Sequence, residues 1–258
     1  RAFTSSSQPV TAVLGEVARH AETGVNEVVL TGVDLTSWGH DLPGAPRLGT
    51  LVAAILQAFP ALPRLRLSSL DGIEIDPLLE ELIGGEPRVM PHLHLSLQHG
   101  DDLILKRMKR RHLRRDALAL VERLRAHRPD IAVGADLIAG FPTEDETAHR
   151  ANLAIVRELG VVHGHVFPYS PRPGTPAARM PQVPHAAIRA RAAELRAEVA
   201  AVRGPWLATQ LSTPQQVLAE RDGTGHAENF ARVQLPPAIT AGTIVTITPT
   251  RIIEGLLA

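Results

Sequence analysis

Hydrophobic and polar positions follow two rhythms along the first 210 residues. Short apolar runs of strand length alternate with longer stretches in which apolar residues recur every three to four positions, as in amphipathic helices. Strands that alternate with helices predict a parallel sheet, and such sheets bind ligands beyond the carboxyl ends of their strands. Each apolar run here ends in polar or glycine-rich residues. The five runs are 28–34, 65–71, 92–100, 131–142 and 161–170.

The third run alternates strictly between polar residues and leucines over 92–98. Because successive strand side chains point to opposite faces, His92, His94, Ser96 and Gln98 share one face. In a barrel surrounded by helices, the leucines would pack outward and this polar row would point inward. Helices are predicted at 10–22, 48–59, 77–85, 116–127, 144–159 and 185–203.

The pattern of hydrophobic and polar residues changes after Pro214, where short runs typical of β-strands are separated by glycine turns such as 222–225. This pattern predicts a small antiparallel barrel. The chain is therefore divided into an α/β domain, 1–210, and a β domain, 211–258.

Cysteine is absent from all 258 residues, which excludes disulfides and thiolate-ligated zinc or iron–sulfur sites within this chain. The 27 basic and 27 acidic residues cancel, so nucleic acid could be attracted only by a local patch. No apolar stretch is long enough to span a bilayer, and we expect a cytoplasmic protein with no membrane partner.

Several strand ends could carry chemistry. Gly140 would let a flat ring approach the backbone, although glycine followed by Phe141 and Pro142 also simply turns the chain. Thr143 and Glu146 have the spacing of a capping box. The polar groups at 68–71 and at 98–101 could hold ribose hydroxyls or a carboxylate, or could cap the following turns.

Two further features are ambiguous. His92 and His94 share a strand face, but two histidines without a third ligand more often satisfy neighbouring polar groups, so no metal site is predicted. Asp136, at the inward end of a strand, could orient a substrate. A separate feature is the basic run 106–115, which could bind phosphates or form a solvated loop.

Five ordered segments together resemble the radical S-adenosylmethionine methylthiotransferases. The segment beginning Leu30-Thr31-Gly32 is most similar to the branch that modifies N6-threonylcarbamoyladenosine beside the tRNA anticodon. The tail from about Leu211 is similar to the TRAM β-barrel with which these enzymes hold tRNA. The segments are 30–39, 91–98, 105–110, 136–142 and 165–177.

The resemblance implies a partial (β/α)6 barrel lacking its first strand, followed by the TRAM-like barrel. In that family, a 4Fe–4S cluster on a Cys-x3-Cys-x2-Cys loop cleaves S-adenosylmethionine, and the resulting radical removes hydrogen from C2 of adenine. A second cluster in an amino-terminal domain supplies sulfur. The resemblance also implies that these 258 residues are a fragment without either set of cluster ligands.

By matching position, the family implies two sets of binding residues, while catalytic residues stay unassigned. Those expected around S-adenosylmethionine are Thr31, Gly32, Ser68, Ser69, Gln98, Ile138, Ala139, Gly140, Phe141, Phe167 and Tyr169. Those expected on RNA are Lys106, Arg107, Lys109, Arg110 and Arg111.

The function expected from the resemblance is methylthiolation of C2 of N6-threonylcarbamoyladenosine by a monomer that binds the tRNA anticodon stem-loop. Two alternatives stay open: isopentenyladenosine as the substrate, or a cluster-free RNA-binding protein without catalysis. A Schiff-base enzyme on a similar barrel is disfavoured because no lysine occupies a strand end.

Overall fold

The computed structural model describes residues 6–258, in which five parallel strands form the centre of the molecule. They are β1 (Glu27–Leu30), β2 (Arg64–Leu67), β3 (His92–Gln98), β4 (Ala132–Ala139) and β5 (Val161–Pro168). β1 pairs with β2, and β3 to β5 pair in chain order. Parallel bridges from Leu65 to Val89 and from Leu70 to Leu95 join the two groups. Among the described residues, β1 has a strand neighbour on one side only.

Helices cover one face of this sheet and bury its aliphatic side chains. Leu65, Leu93, Val133 and Leu137 are at most 1% exposed within a single hydrophobic core. The polar residues that alternate with the leucines along β3 lie on the opposite face, as the strict alternation predicts. The helices are α1 (Val10–Ala21), α2 (Leu48–Ala58), α3 (Pro77–Gly85), α4 (Asp102–Arg107), α5 (Arg114–His127), α6 (Glu146–Leu159) and α7 (His185–Thr209).

Two local predictions are wrong. The capping box from Thr143 to Glu146 does not form, because Thr143 has a φ of 70° and its hydroxyl bonds to the carbonyl of Pro142. Asp145 caps α6 instead, accepting a hydrogen bond from the Ala148 amide at 2.8 Å. Helix α7 continues past the predicted end at Arg203, because Leu207 packs into the core of the following sheet.

A second sheet of six strands follows α7. The strands are β6 (Gln215–Ala219), β7 (Thr224–Ala227), β8 (Arg232–Gln234), β9 (Ile244–Ile247), β10 (Ile252–Ile253) and β11 (Leu256–Leu257). The sheet is mainly antiparallel, in the order β10-β11-β8-β7-β6-β9. Val217, Ala227, Val233 and Leu257 form its own fully buried core. Only the pairing of β11 with β8 is parallel.

The second sheet is anchored on the helix-free face of the first by two buried arginines of β2. Arg64 donates to the carbonyl of Gln216 at 2.7 Å, and Arg66 donates to the carbonyl of Glu228 at 3.1 Å. Arg66 also pairs with the Glu27 carboxylate at 2.9 Å, which balances its buried charge.

An aromatic stack adds to this junction. Phe230 lies between His92 and His226, with ring centroids 4.7 and 4.4 Å away. The Arg66 guanidinium lies 5.0 Å from the centre of the same ring. The second sheet therefore fills the amino-terminal part of the helix-free face. No helix within residues 6–258 is long and apolar enough to cross a membrane.

Candidate functional site

The carboxyl ends of β3, β4 and β5 surround a cavity of about 490 Å³, a volume typical of small-molecule sites. One wall is apolar and aromatic, and the chain after β5 supplies hydroxyl groups and a guanidinium. The lining residues are Gln98, Ile138, Phe167, Pro168, Tyr169, Ser170, Arg172, Thr175 and Ala177.

Four of the residues expected to bind S-adenosylmethionine line this cavity together: Gln98, Ile138, Phe167 and Tyr169. Gln98 has a φ of 67°, so the chain turns sharply as β3 ends. Phe167 is 51% exposed, which leaves much of its ring free for a ligand.

Three others lie behind the wall. Ala139 is fully buried, and Phe141 packs edge-on against Tyr169 with ring centroids 5.3 Å apart. Gly140 has a φ of 72°, a conformation that suits glycine, and a side chain there would meet Ile188. These residues shape the wall without lining the cavity.

Thr31 and Gly32 line a different cavity, of about 280 Å³, at the end of β1. Ser68 and Ser69 lie between the two, half-buried at the end of β2. The Ser69 hydroxyl donates to the Asp136 carboxylate at 3.4 Å. The expected cofactor residues thus lie along one sheet edge but are divided between two hollows.

Glu144 holds the turn after β4 and was not singled out from the sequence. Its fully buried carboxylate accepts hydrogen bonds from the amides of Gly140 and Phe141 at 2.8 and 3.2 Å. His99 Nε2 lies 3.2 Å from the same oxygen, and Arg191 lies 3.3 Å from the other. Glu144 therefore ties the turns after β3 and β4 to helix α7.

Asn152, also fully buried, connects the same two strand ends. Its amide nitrogen donates to the Ile138 carbonyl at 3.0 Å, and its oxygen accepts from the Gly100 amide at 3.1 Å. No periodicity identifies such a residue, because one polar side chain in a helix is equally compatible with exposure.

Asp136 and His165 project from the same sheet face as Ile138 and Phe167, two residues earlier on their strands, and His94 of β3 lies beside Asp136. Asp136 Oδ1 lies 3.1 Å from both His94 Nε2 and His165 Nδ1. Burial raises the pKa of Asp136, but hydrogen bonds and charge interactions with the two histidines outweigh it, so the pKa lies below its usual range. The group is anionic at neutral pH.

Nearer the second sheet, the histidines are neutral. Burial, assisted by the charge of Arg203, lowers the pKa of His163 to about 3. Burial also places the pKa of His92 well below its usual value. His163 Nε2 lies 3.3 Å from the Asn229 carbonyl, so the neutral ring can donate a hydrogen bond to the second sheet.

The five residues expected on RNA lie in α4 and the turn after it. Arg107 donates to the Thr143 hydroxyl at 2.6 Å, Arg110 lies 4.0 Å from Asp71, and Arg111 pairs with Glu74. Lys106 and Lys109 are exposed and have no ion-pair partner within residues 6–258. The freely available positive charge is therefore smaller than the composition of the run indicates.

A sequence profile of the radical SAM superfamily matches residues 4–153. The chain belongs to the radical SAM superfamily. Two solved structures share its fold at low identity. They are coproporphyrinogen III oxidase (HemN) from Escherichia coli, with a TM-score of 0.53 and 16% identity over 76% of this chain and 45% of that one, and SuiB from Streptococcus suis, with a TM-score of 0.51 and 13% identity over 76% and 41%.

Two curated relatives of this radical SAM chain are tRNA-modifying proteins by name. Threonylcarbamoyladenosine tRNA methylthiotransferase MtaB of Rickettsia prowazekii is 42% identical over 253 residues, which cover 98% of this chain and 60% of the relative. The tRNA-2-methylthio-N(6)-dimethylallyladenosine synthase of Cereibacter sphaeroides (strain ATCC 17025) is 37% identical over 84% of this chain and 49% of the relative. The chain therefore spans about half to three-fifths of their lengths.

The superfamily implies S-adenosylmethionine and a 4Fe–4S cluster. The residues of this radical SAM chain suit the first of these groups but not the second. Protein iron–sulfur clusters are held chiefly by cysteine thiolates, and none of the 258 residues is cysteine. These residues do not fit the cluster. The cavity at Gln98, Ile138 and Phe167, in contrast, has the size and mixed polarity that a nucleoside requires.

Proposed function

We propose that this chain serves in a tRNA methylthiotransferase that places a methylthio group on C2 of N6-threonylcarbamoyladenosine next to the anticodon. The observation that carries this proposal is the 42% identity to the Rickettsia MtaB protein, sustained over 98% of this chain. The relative named for the dimethylallyladenosine reaction is 37% identical over a shorter stretch, which favours the threonylcarbamoyl substrate.

Within this proposal, the five parallel strands belong to a partial (β/α)6 barrel that lacks its first strand, and the carboxyl-terminal sheet is a TRAM-like RNA-binding barrel. The proposed domains are 1–210 and 211–258. Their separate hydrophobic cores support this division, although Leu207 of α7 packs with the second core.

The adenosine part of S-adenosylmethionine is proposed to occupy the cavity of about 490 Å³. Ile138 and Phe167 would contact the faces of the adenine, and Gln98 would hydrogen-bond the ribose. Thr31 and Gly32 would lie near the methionine part, and Ser68 and Ser69 near the polar groups of the cofactor. When bound, S-adenosylmethionine supplies the methyl group.

The tRNA anticodon stem-loop is proposed to contact the second sheet and the basic segment of α4. Lys106 and Lys109 are the strongest phosphate ligands in that segment because no carboxylate neutralises them among the described residues. The chain is proposed to act as a cytoplasmic monomer.

Deletion of the gene that encodes this chain tests the reaction and its substrate. We expect 2-methylthio-N6-threonylcarbamoyladenosine to disappear from hydrolysed tRNA and its unmodified precursor to accumulate, measured by liquid chromatography and mass spectrometry. Loss of the isopentenyl derivative instead would establish the alternative substrate. If both modified nucleosides persist, the proposed reaction is wrong.

The absence of cysteine favours a second candidate, an RNA-binding protein without catalysis. Calorimetric titration of the chain with S-adenosylmethionine separates the two, because only the first candidate requires that ligand.

Both candidates predict that Lys106 and Lys109 contact tRNA phosphates. Lys106→Glu combined with Lys109→Glu should therefore reduce the slope of log binding constant against log salt concentration, for an anticodon stem-loop, by about 0.7–0.9 per lost phosphate contact. Arg196→Glu, on the exposed side of α7, is the matched control. An unchanged salt slope in the double variant would remove α4 from the RNA site.

A further inference from the structure

We propose that His94, Asp136 and His165 form a binding site for one first-row divalent transition-metal ion. The sequence predicts no metal site because His94 has only His92 as a nearby histidine on its own strand. Parallel pairing of β3, β4 and β5 supplies two more donors from neighbouring strands. This inference does not depend on the proposed tRNA reaction.

The three donor atoms converge on one point. His94 Nε2, Asp136 Oδ1 and His165 Nδ1 all lie within 4.8 Å of one another. The two imidazole rings are 4.7 Å apart at their centroids and tilted by 37°, so both can direct a nitrogen toward the same ion. A convergent donor set with both nitrogen and oxygen atoms is the first requirement of a metal site.

The types of donor select the class of ion. Two imidazoles and one carboxylate suit zinc or iron(II), whereas magnesium and calcium prefer oxygen ligands. Three protein ligands on one side also leave coordination positions open. These positions would face the cavity, because Ile138 and Phe167 lie two residues further along the same strands.

Neighbouring residues orient the ligands. The Ser69 hydroxyl donates to Asp136 Oδ2 at 3.4 Å, which leaves Oδ1 for the ion. Gly134 makes room for the His94 ring, because a Cβ at that position would collide with Nδ1 of His94. Such supporting contacts commonly fix the direction of metal ligands.

The cysteine-free sequence permits a direct test, since no thiolate can compete for the ion. The 258-residue chain is titrated with ZnCl2 by calorimetry and with CoCl2 by visible absorption. We expect one ion per chain, and at least tenfold weaker binding in His165→Ala and in Asp136→Asn. His185→Ala removes an exposed histidine at the start of α7 and should bind the ion as the unaltered chain does.

The His165→Ala variant guards against a folding artefact. The side chain of His165 is 63% exposed, so its removal should leave the circular dichroism spectrum unchanged. At the same zinc concentration, the Tm of the unaltered chain and of His185→Ala should rise more than that of His165→Ala. Failure of the unaltered chain to bind a stoichiometric ion, or equal binding by His165→Ala, would overturn the proposal and leave three hydrogen-bonded side chains.

Discussion

Glu144 illustrates how one side chain fixes the turn behind the cavity wall. Its carboxylate is fully buried and accepts from two backbone amides while contacting His99 and Arg191. A buried carboxylate is stable only when its charge and hydrogen-bonding capacity are satisfied. Here the same partners that stabilise the charge belong to three different elements, so satisfying Glu144 also aligns them.

We expect Glu144→Ala to lower the free energy of unfolding by about 3–5 kcal/mol, because it removes the buried one of the two carboxylates that pair with Arg191 and leaves two buried amides without an acceptor. Urea unfolding followed by circular dichroism measures the change. Glu146→Ala is the matched control, since it removes the exposed partner of the same arginine. Equal losses in the two variants would mean that burial of Glu144 contributes nothing.

The sequence predicts where an individual side chain lies only when a pattern among neighbouring residues determines it. The inward row from His92 to Gln98 is predictable because strand side chains alternate with a period of two. The meeting of Asp136 with His94 and His165 is not, because it depends on the register of β4 with its two neighbours. Glu144 is not identifiable from the sequence for a similar reason, since its side-chain partners His99 and Arg191 lie far from it along the chain.

Helix α3 shows which element boundaries follow from sequence. Asp76 precedes Pro77, and this pair predicts an N-cap followed by a first-turn proline. The Asp76 carboxylate accepts from the Leu79 amide at 3.1 Å and from the Gly49 amide of α2 at 2.9 Å. The cap therefore also joins two helices, a contact that the local pattern does not contain.

We expect Asp76→Ala to lower the free energy of unfolding by about 2–3 kcal/mol, combining the lost cap with an unsatisfied buried amide at Gly49. Asp76→Asn keeps one acceptor oxygen in place of two, so it can accept from Leu79 or from Gly49 but not from both, and it should lose about half as much. Guanidinium unfolding of both variants measures the difference. Indistinguishable stabilities for the two would show that the cap hydrogen bonds do not stabilise α3.

Helix α6 shows where boundary prediction fails. Thr143 and Glu146 have the correct spacing for a capping box, but the positive φ of Thr143 takes its side chain away from the helix start. Backbone conformation after a Gly-Phe-Pro turn is not encoded in the spacing of capping residues. The adjacent Asp145 has the same capping chemistry and occupies the correct position.

For the whole molecule, the parallel strands in chain order and the later antiparallel sheet were predictable, whereas the way they join was not. Arg64 and Arg66 are unremarkable in sequence, and only the structure reveals that they donate to carbonyls of the second sheet. The junction is also where His92 and His163 are buried, which makes its stability depend on pH.

Acid should weaken this junction. The pKa of His163 is about 3 in the folded chain, compared with about 6.5 for an unfolded histidine, so the unfolded state binds the proton more tightly. The contribution of neutral His163 to the free energy of unfolding is fully present above pH 6.5 and is lost as the pH falls toward 3. From pH 7.5 to pH 5, this histidine should reduce the free energy of unfolding by about 2 kcal/mol.

Urea unfolding at both pH values tests the effect, with Trp206 fluorescence as a local reporter because its ring lies 5.2 Å from that of His163. Trp38→Phe removes the other tryptophan. His163→Gln retains a donor for the Asn229 carbonyl but does not titrate, so its loss of stability in acid should be smaller by about 2 kcal/mol. The same pH dependence in both proteins would exclude His163 as the sensitive group.

Within the described part of the chain, β1 pairs with one strand only, which has a practical consequence for any sample of this polypeptide. Among residues 6–258 no strand pairs with the outer side of β1, so its backbone groups there can pair with an extended segment of another molecule, and the side chain of Val29 is 49% exposed. Such a border favours intermolecular strand addition, which depends steeply on concentration. Dilute solutions should therefore keep the chains unassociated, whereas concentrating the sample should promote self-association that begins at residues 27–30.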